Sequence, residues 1–368
     1  MRVLHLFVTI TLSISTSAYD DSRPQRKDIV PENAVDGLGI SNRDLAVVST
    51  SNASDANSLN MNGKRALGDP HLVAPRPTRV ENIPLIISGG RFTKDITIDA
   101  HHISGLAVLD TGSTTTWIQG TSHKYSPDPS PFHSMGFFEL HGGKANGVVT
   151  MDEVPAIEME FRTVQGKTPD HYTGGLALDR SRISWPNYIN HDEIYPVFSF
   201  HCRDPYHAEF NLGPVSSTLV NQMEWYEFNP KKRQWTLDGA RIKVKGISVG
   251  GIVSTIMDTG VEYIYGSEKR VAQVYRELGG HYSGGFWMIH CNREQPVTFS
   301  WGRTRFPIHD FLVDGGRFEV PKGAKSCKGV IRPHASIPDN TIVLGTGFFY
   351  GKRIAFGKSM GIMLTGSP

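Results

Sequence analysis

The sequence predicts an all-β protein built as two related lobes, and three observations carry that expectation. Short runs rich in Val, Ile, Thr and Phe alternate with turn signals, and the chain holds 38 Gly and 22 Pro, residues that helix interiors tolerate poorly. An apolar run delivers an Asp-Thr-Gly triplet twice, at Asp110 within Leu106–Gly120 and at Asp258 within Ile252–Gly266, 148 residues apart. A length of 368 residues suits two units, each large enough to bury its own core. The expected architecture is therefore two related, mostly β lobes around one shared site, with few and short helices.

The chain opens with a basic Arg2, an apolar stretch Leu4–Ile14 and the small residues Ser15–Ala18, which reads as a secretory signal peptide over residues 1–18. That stretch is shorter than the about 20 apolar residues a membrane-spanning helix needs, so no membrane anchor is expected. Residues 19–65 are polar, rich in Ser, Asn and Asp, and carry a glycosylation triplet at Asn52-Ala53-Ser54. They end in the dibasic Lys64-Arg65 and are read as the propeptide of a secreted zymogen. The N-terminal lobe is then placed at 66–228 and the C-terminal lobe at 229–368, with the basic loop Asn229-Pro230-Lys231-Lys232-Arg233 as the junction.

In the first lobe Phe92–Asp99 alternates as a strand should, and His101–Ser104 links it to the run that presents Asp110 in a loop. Phe138–Val149 is apolar, then glycine-rich through Gly142, Gly143 and Gly147, then apolar again. This predicts a hairpin with a mobile tip over a cleft. Val197–Cys202 and Glu209–Gly213 read as further strands. In the second lobe Trp235–Gly250 gives strand, turn, strand ahead of Asp258. Ser267–Leu278 is the clearest helix, with Ser267 as N-cap, Val271, Val274 and Leu278 on one face, and Gly279 to end it.

Composition narrows the function. With 38 Lys plus Arg against 36 Asp plus Glu, the formal charge of +2 offers no electrostatic case for nucleic acid or an anionic membrane. The default partner is then a small neutral or peptidic molecule. Of the three cysteines, Cys291 and Cys327 both fall in the C-terminal lobe and are paired as one disulfide, the expectation for an oxidising compartment. Cys202, in an apolar run, is read as a buried, inert thiol. No Cys/His spacing suits zinc, and neither metal nor cofactor is expected.

Two aspartates close enough to share a proton split into an acid and a base. The base takes a proton from a water lying between them while the acid protonates the carbonyl oxygen under attack, which hydrolyses an amide without a covalent intermediate. Around them, Gly112 and Gly260 permit close backbone approach. Thr111 and Thr259 offer hydroxyls and amides that can bond across to the opposite loop, and Ser113 can donate to Asp110. One Asp-Thr-Gly is an ordinary turn; two, each after an apolar run and each in its own half, point to one bipartite site.

The residues on which these readings rest also resemble the pepsin-like aspartic proteases over most of the segment after Arg65. Ile96–Ile98 followed by Val108–Ser113 and Trp117 is similar to the family's first strand pair and active-site loop. Gly174–Leu178 resembles the apolar stretch crossing beneath that loop, and Val197–Phe200 the strand leading to the second lobe. Trp235–Gly260 with the following helix, the pair Cys291 and Cys327, and Val343–Gly345 with Phe348 resemble the second-lobe pattern. The resemblance implies a bilobal fold, a cleft for an extended peptide, and catalysis by Asp110 and Asp258 supported by Thr111, Gly112, Ser113, Trp117, Thr259 and Gly260.

It also exposes departures. The family's flap tyrosine, partner of the residue matching Trp117, falls at Leu140, beside His141, Gly142 and Gly143. Val261 stands where the family carries a hydroxyl, so Asp258 loses a donor and its pKa is expected to sit higher than usual. Thr173 and Thr346-Gly347 replace positions where an aspartate is usual, and Glu262 is read as a solvated charge at the cleft edge. The leading expectation is a secreted aspartic endopeptidase acting at acidic pH. The alternative is a secreted, catalytically weak or inactive relative that keeps the cleft as a binding or inhibitor module. Glycoside hydrolysis fits less well, since its two carboxylates need unlike surroundings whereas these two loops are near copies.

Overall fold

Runs of β-branched and aromatic residues between Gly and Pro turns fold here as strands almost throughout, with three short helices among the described residues. In this computed structural model those residues are 80–98, 103–119, 131–134, 138–151, 154–164, 172–180, 197–291, 297–308, 312–313 and 325–365. All belong to one unit, Asn60–Pro368. The expected signal peptide, propeptide and glycosylation triplet lie outside the described residues.

The first half closes on itself. Arg91–Ile98 pairs with Ile103–Asp110, which leads through Gly174–Ala177, Trp117–Gln119, Val154–Val164 and Phe138–Met151 back to Arg91–Ile98. A closed ring of strands leaves no free edge and encloses a packed interior, here lined by Phe92, Ile96, Ile98, Leu109, Ile118, Val149 and Leu176. In the second half a seven-stranded sheet places Ile247–Met257 and Thr341–Leu344 at its centre, and a separate four-stranded sheet runs from His281 to Gly329.

The chain leaves the first sheet after Glu224–Glu227 and enters the second at Thr236–Val244. Its last two strands, Lys352–Phe356 and Ser359–Leu364, return to the first sheet beside Phe198–Asp204. A boundary drawn at 228/229 thus marks a change of sheet without separating the two halves of the core. Aromatic packing makes that core continuous: Phe198 stacks on Phe356 at 4.9 Å, Phe92 on Phe200 at 5.2 Å, and Trp235 meets Phe228 at 4.7 Å. Trp235 Nε1 donates to Leu178 O at 2.6 Å. Arg180 lies over the Phe228 and Trp235 rings and donates to Asn229 O at 3.1 Å, clamping the expected junction loop.

The helix after the second motif, Glu268–Glu277, has Ser267 as N-cap, with Ser267 Oγ accepting from Arg270 N. Val271 and Val274 are buried on its inner face, and Gly279 follows its end at φ 70°. Cys291 and Cys327 form the disulfide, while Cys202 is a buried free thiol. The hairpin expected around the glycine-rich stretch is corrected. Leu140, His141, Gly142 and Gly143 lie within one continuous strand, Phe138–Met151, whose ladder runs from Gly142 opposite Val164 to Met151 opposite Val154. The long partner strand satisfies the backbone groups of these glycines, so they are spent in a ladder and not in a turn. Pro131–Ser134 pairs with the same strand, His141 facing Pro131 and Leu140 facing Phe132 in register.

Candidate active site

Each aspartate reaches the site by the same four-strand device. Asp110 is the last residue of Ile103–Asp110, which runs parallel to Gly174–Ala177; that strand is antiparallel to Trp117–Gln119, which in turn runs parallel to Val154–Val164. In the second half Ile247–Met257 runs parallel to Thr341–Leu344, antiparallel to Ile264–Gly266, with Ile331–Pro333 outermost and parallel to the latter. Leu178 N donates to Asp110 O and Asp258 N donates to Leu344 O, so each motif is pinned to the strand crossing beneath it. Asp110 is therefore the end of a strand and not a free loop residue, because the parallel partner extends the ladder to its carbonyl.

Between the motifs the bonds are reciprocal. Thr111 N donates to Thr259 Oγ1 at 3.0 Å, and Thr259 N to Thr111 Oγ1 at 2.9 Å. Each hydroxyl then passes its own proton across: Thr111 Oγ1 to Met257 O at 2.9 Å, and Thr259 Oγ1 to Leu109 O. All these groups are buried, where an unpaired partner would cost about 1–3 kcal/mol, so the lattice locks one loop against the other. The glycines face the opposite carboxylates. A Cβ at Gly112 would overlap the Asp258 carboxyl group, and a Cβ at Gly260 that of Asp110.

The carboxyl groups of Asp110 and Asp258 lie within hydrogen-bonding reach of each other, and both residues are buried. Asp110 accepts from Gly112 N at 2.9 Å, Ser113 N at 3.0 Å and Ser113 Oγ at 2.6 Å. Asp258 accepts from Gly260 N at 2.9 Å, and the next residue, Val261, is buried and apolar. Burial, first, and the neighbouring Asp110 charge, second, hold the Asp258 carboxyl well above the ordinary aspartate value, in the direction expected from Val261; the Gly260 N–H and the Arg91 cation pull the other way. A pair of this kind holds one proton between two oxygens of unlike affinity, the condition for one acid and one base.

Glu262 differs from its expectation as a solvated charge. Its carboxylate is 2.9 Å from Arg91 Nη2, with side-chain exposures of 21% and 6%. Arg91 itself was not singled out from the sequence: it is a lone basic residue opening a strand, and only the odd charge beside the second motif hinted at a partner. Trp117 is fully buried, and its Nε1 meets no acceptor among the described residues. Thr173 N donates to Leu106 O at 2.8 Å, and Thr346–Phe349 is a single helical turn instead of a continuation of the crossing strand. Nothing is described of the Leu140 and His141 side chains beyond their place in the ladder.

The sequence also matches known proteins. A model of the eukaryotic aspartyl protease family matches residues 175–356, a span that contains the second motif and the strand Thr341–Leu344 crossing beneath it, and begins after the first motif. An aspartic protease of Phaffia rhodozyma is 24% identical over 349 aligned residues, covering 82% of this chain and 81% of that protein. The strand-dominated fold and these matches define an aspartic-type endopeptidase. These matches support a pepsin-like aspartic protease.

Proposed function

We propose that this chain is a secreted zymogen whose mature form, from about residue 66, hydrolyses peptide bonds at acidic pH, with Asp110 and Asp258 activating a water between them. The observation that carries the reading is the buried carboxyl pair in mutual hydrogen-bond reach, held by loops that bond reciprocally through Thr111 and Thr259. The base takes a proton from the water while the neutral partner donates one to the substrate carbonyl oxygen, so the pair stays singly protonated with its roles exchanged; on collapse the newly protonated carboxyl gives its proton to the leaving amine nitrogen and the other takes one back from the gem-diol oxygen. Because the pair must hold one proton, activity falls once the pH rises past the raised value of Asp258. In this reading Gly112, Ser113, Gly260 and the Thr pair support the dyad. Trp117 supports it from beneath, Val261, Glu262 and the strand segment Leu140–Gly143 border the cleft, the enzyme acts as a monomer, and the polypeptide substrate lies between the halves.

The test is digestion of a mixed peptide library by the secreted form from pH 3 to 7, with and without pepstatin, beside Asp110→Asn and Asp258→Asn. Cleavage lost in both variants and blocked by pepstatin supports the reading; an inactive wild type at micromolar enzyme across that range overturns it. N-terminal sequencing of the secreted protein tests processing after Arg65. The second reading, a cleft kept for binding, draws on the orphaned Trp117 Nε1 and the apolar Val261 beside Asp258. Tight pepstatin binding with no turnover favours it.

A further inference from the structure

Arg91 opens the strand Arg91–Ile98 in the first half, yet its guanidinium serves the second motif. Its Nε donates to Gly260 O at 2.9 Å, while the N–H of the same Gly260 holds Asp258 Oδ1. Its Nη2 pairs with Glu262 at 2.9 Å, and its Cζ lies 5.7 Å from the centre of the Tyr172 ring, whose hydroxyl donates to Ser88 O at 2.6 Å. Thr346 completes the mounting: its hydroxyl donates to Gly90 O, its N–H to Val261 O, and the next amide, Gly347 N, to Glu262 O. A cation only 5% exposed is thereby fixed beside the dyad by groups from both halves.

We propose that Arg91 is a positioning residue that grips the second loop and supplies, as a fixed charge, the stabilisation of ionised Asp258 that a hydroxyl at Val261 does not provide, with Glu262 setting how much of that charge the dyad feels. This rests on Asp110 and Asp258 being the reacting pair. The Arg91 charge acts on Asp258 in the required direction, lowering its proton affinity. The other groups facing this spot are Asp110 from Ile103–Asp110, Tyr172 ahead of Gly174–Ala177, Tyr263 and Tyr265 around Ile264, and Arg332 from Ile331–Pro333. Burial raises the Tyr263 and Tyr265 phenols, so both stay neutral at acidic pH, and Arg332 lies over the Tyr263 ring at 4.5 Å. The acids here are therefore Asp110, Asp258 and Glu262, and Arg91 is the cation that bonds directly to the second motif.

The two partners are expected to move the pH profile in opposite directions. Removing the cation in Arg91→Met raises the second pKa of the dyad, so the alkaline limb of kcat/KM moves up by on the order of one pH unit. Glu262→Gln keeps an acceptor for Arg91 but removes the counter-charge, so the limb moves down by about half a unit. Arg91→Lys retains the charge and stays near the wild-type limb, which separates electrostatics from packing. Circular dichroism confirms the fold of each variant, and Glu262→Gln carries the test alone if Arg91→Met does not fold. The shifts are read from pH–rate profiles, and independently from the 13Cγ titration of the two aspartates, which needs no turnover. Opposite shifts with rescue by lysine support the proposal; shifts of the same sign, or none, overturn it. A wild type that titrates as described without cleaving peptides defeats the catalytic reading and leaves the charge coupling standing.

Discussion

Asp110 is served by its own loop, whereas Asp258 is served largely from across the molecule. The first carboxylate takes three donors from Gly112 and Ser113 within three residues of it. The second takes Gly260 N–H, has a buried valine where Ser113 stands in the first loop, and feels a guanidinium 167 positions earlier in the chain. Yet the bonds that join the loops are near mirror images, Thr111 to Thr259 and back at 3.0 and 2.9 Å. Geometry is thus duplicated while the electrostatics are not. The difference teaches that duplicated loops bring two carboxyls together, and that unlike surroundings bias which of the two holds the shared proton.

The strongest way to test that division is to neutralise each aspartate in turn. Asp110→Asn and Asp258→Asn are each expected to lower kcat by about 10³-fold or more, measured on a cleaved library peptide, since neither group can do both proton transfers. Asp258→Asn has a second signature in stability. The folded pKa of Asp258 is raised, so its contribution is full below the unfolded value of 3.8 and is lost as the pH climbs through the folded value. Urea midpoints of the wild type therefore fall from acid towards neutral pH, and the variant flattens that slope.

Next in size are the glycines. Gly112→Ala and Gly260→Ala each drive a methyl group into the opposite carboxyl, and a displacement of that kind costs on the order of 10²-fold in kcat/KM. Equal losses speak for a symmetric scaffold; a loss in one alone breaks the comparison. Thr111→Val and Thr259→Val each remove a buried hydroxyl that donates once and accepts once. About 1–3 kcal/mol is expected from denaturant unfolding for each, the two values agreeing within roughly 1 kcal/mol. The smallest effect sharpens the electrostatic half of the comparison. Val261→Ser gives Asp258 a donor like that of Asp110, lowers its raised pKa, and moves the alkaline limb of the pH–rate profile down by about half a unit.

Much of the scaffold was legible because its signals are local. Apolar runs ending in Asp-Thr-Gly, the Ser267 cap with Val271 and Val274 one turn apart, and Gly279 after the helix all declare themselves within a dozen residues. The glycines at 142 and 143 misled for the same reason. Read locally they are turn formers, and only the register opposite Thr163 and Val164 shows that they are ladder residues. Glu262 misled too, since a charge beside a cleft motif is solvated unless something distant meets it.

What the sequence by itself determined was the all-β class, the duplication, the two aspartates with their threonines, and the Cys291–Cys327 disulfide. The strand runs and Asp-Thr-Gly triplets follow from residue type and short-range pattern, the duplication from their repetition, and the disulfide from two of three cysteines falling in one half. Only the tertiary structure decided that Arg91 reaches Gly260 across 169 residues, that Glu262 is its counter-ion, and that Trp117 Nε1 is left without an acceptor among the described residues. These are contacts between segments far apart in sequence. The burial that makes them matter electrostatically exists only once the two halves have closed around them.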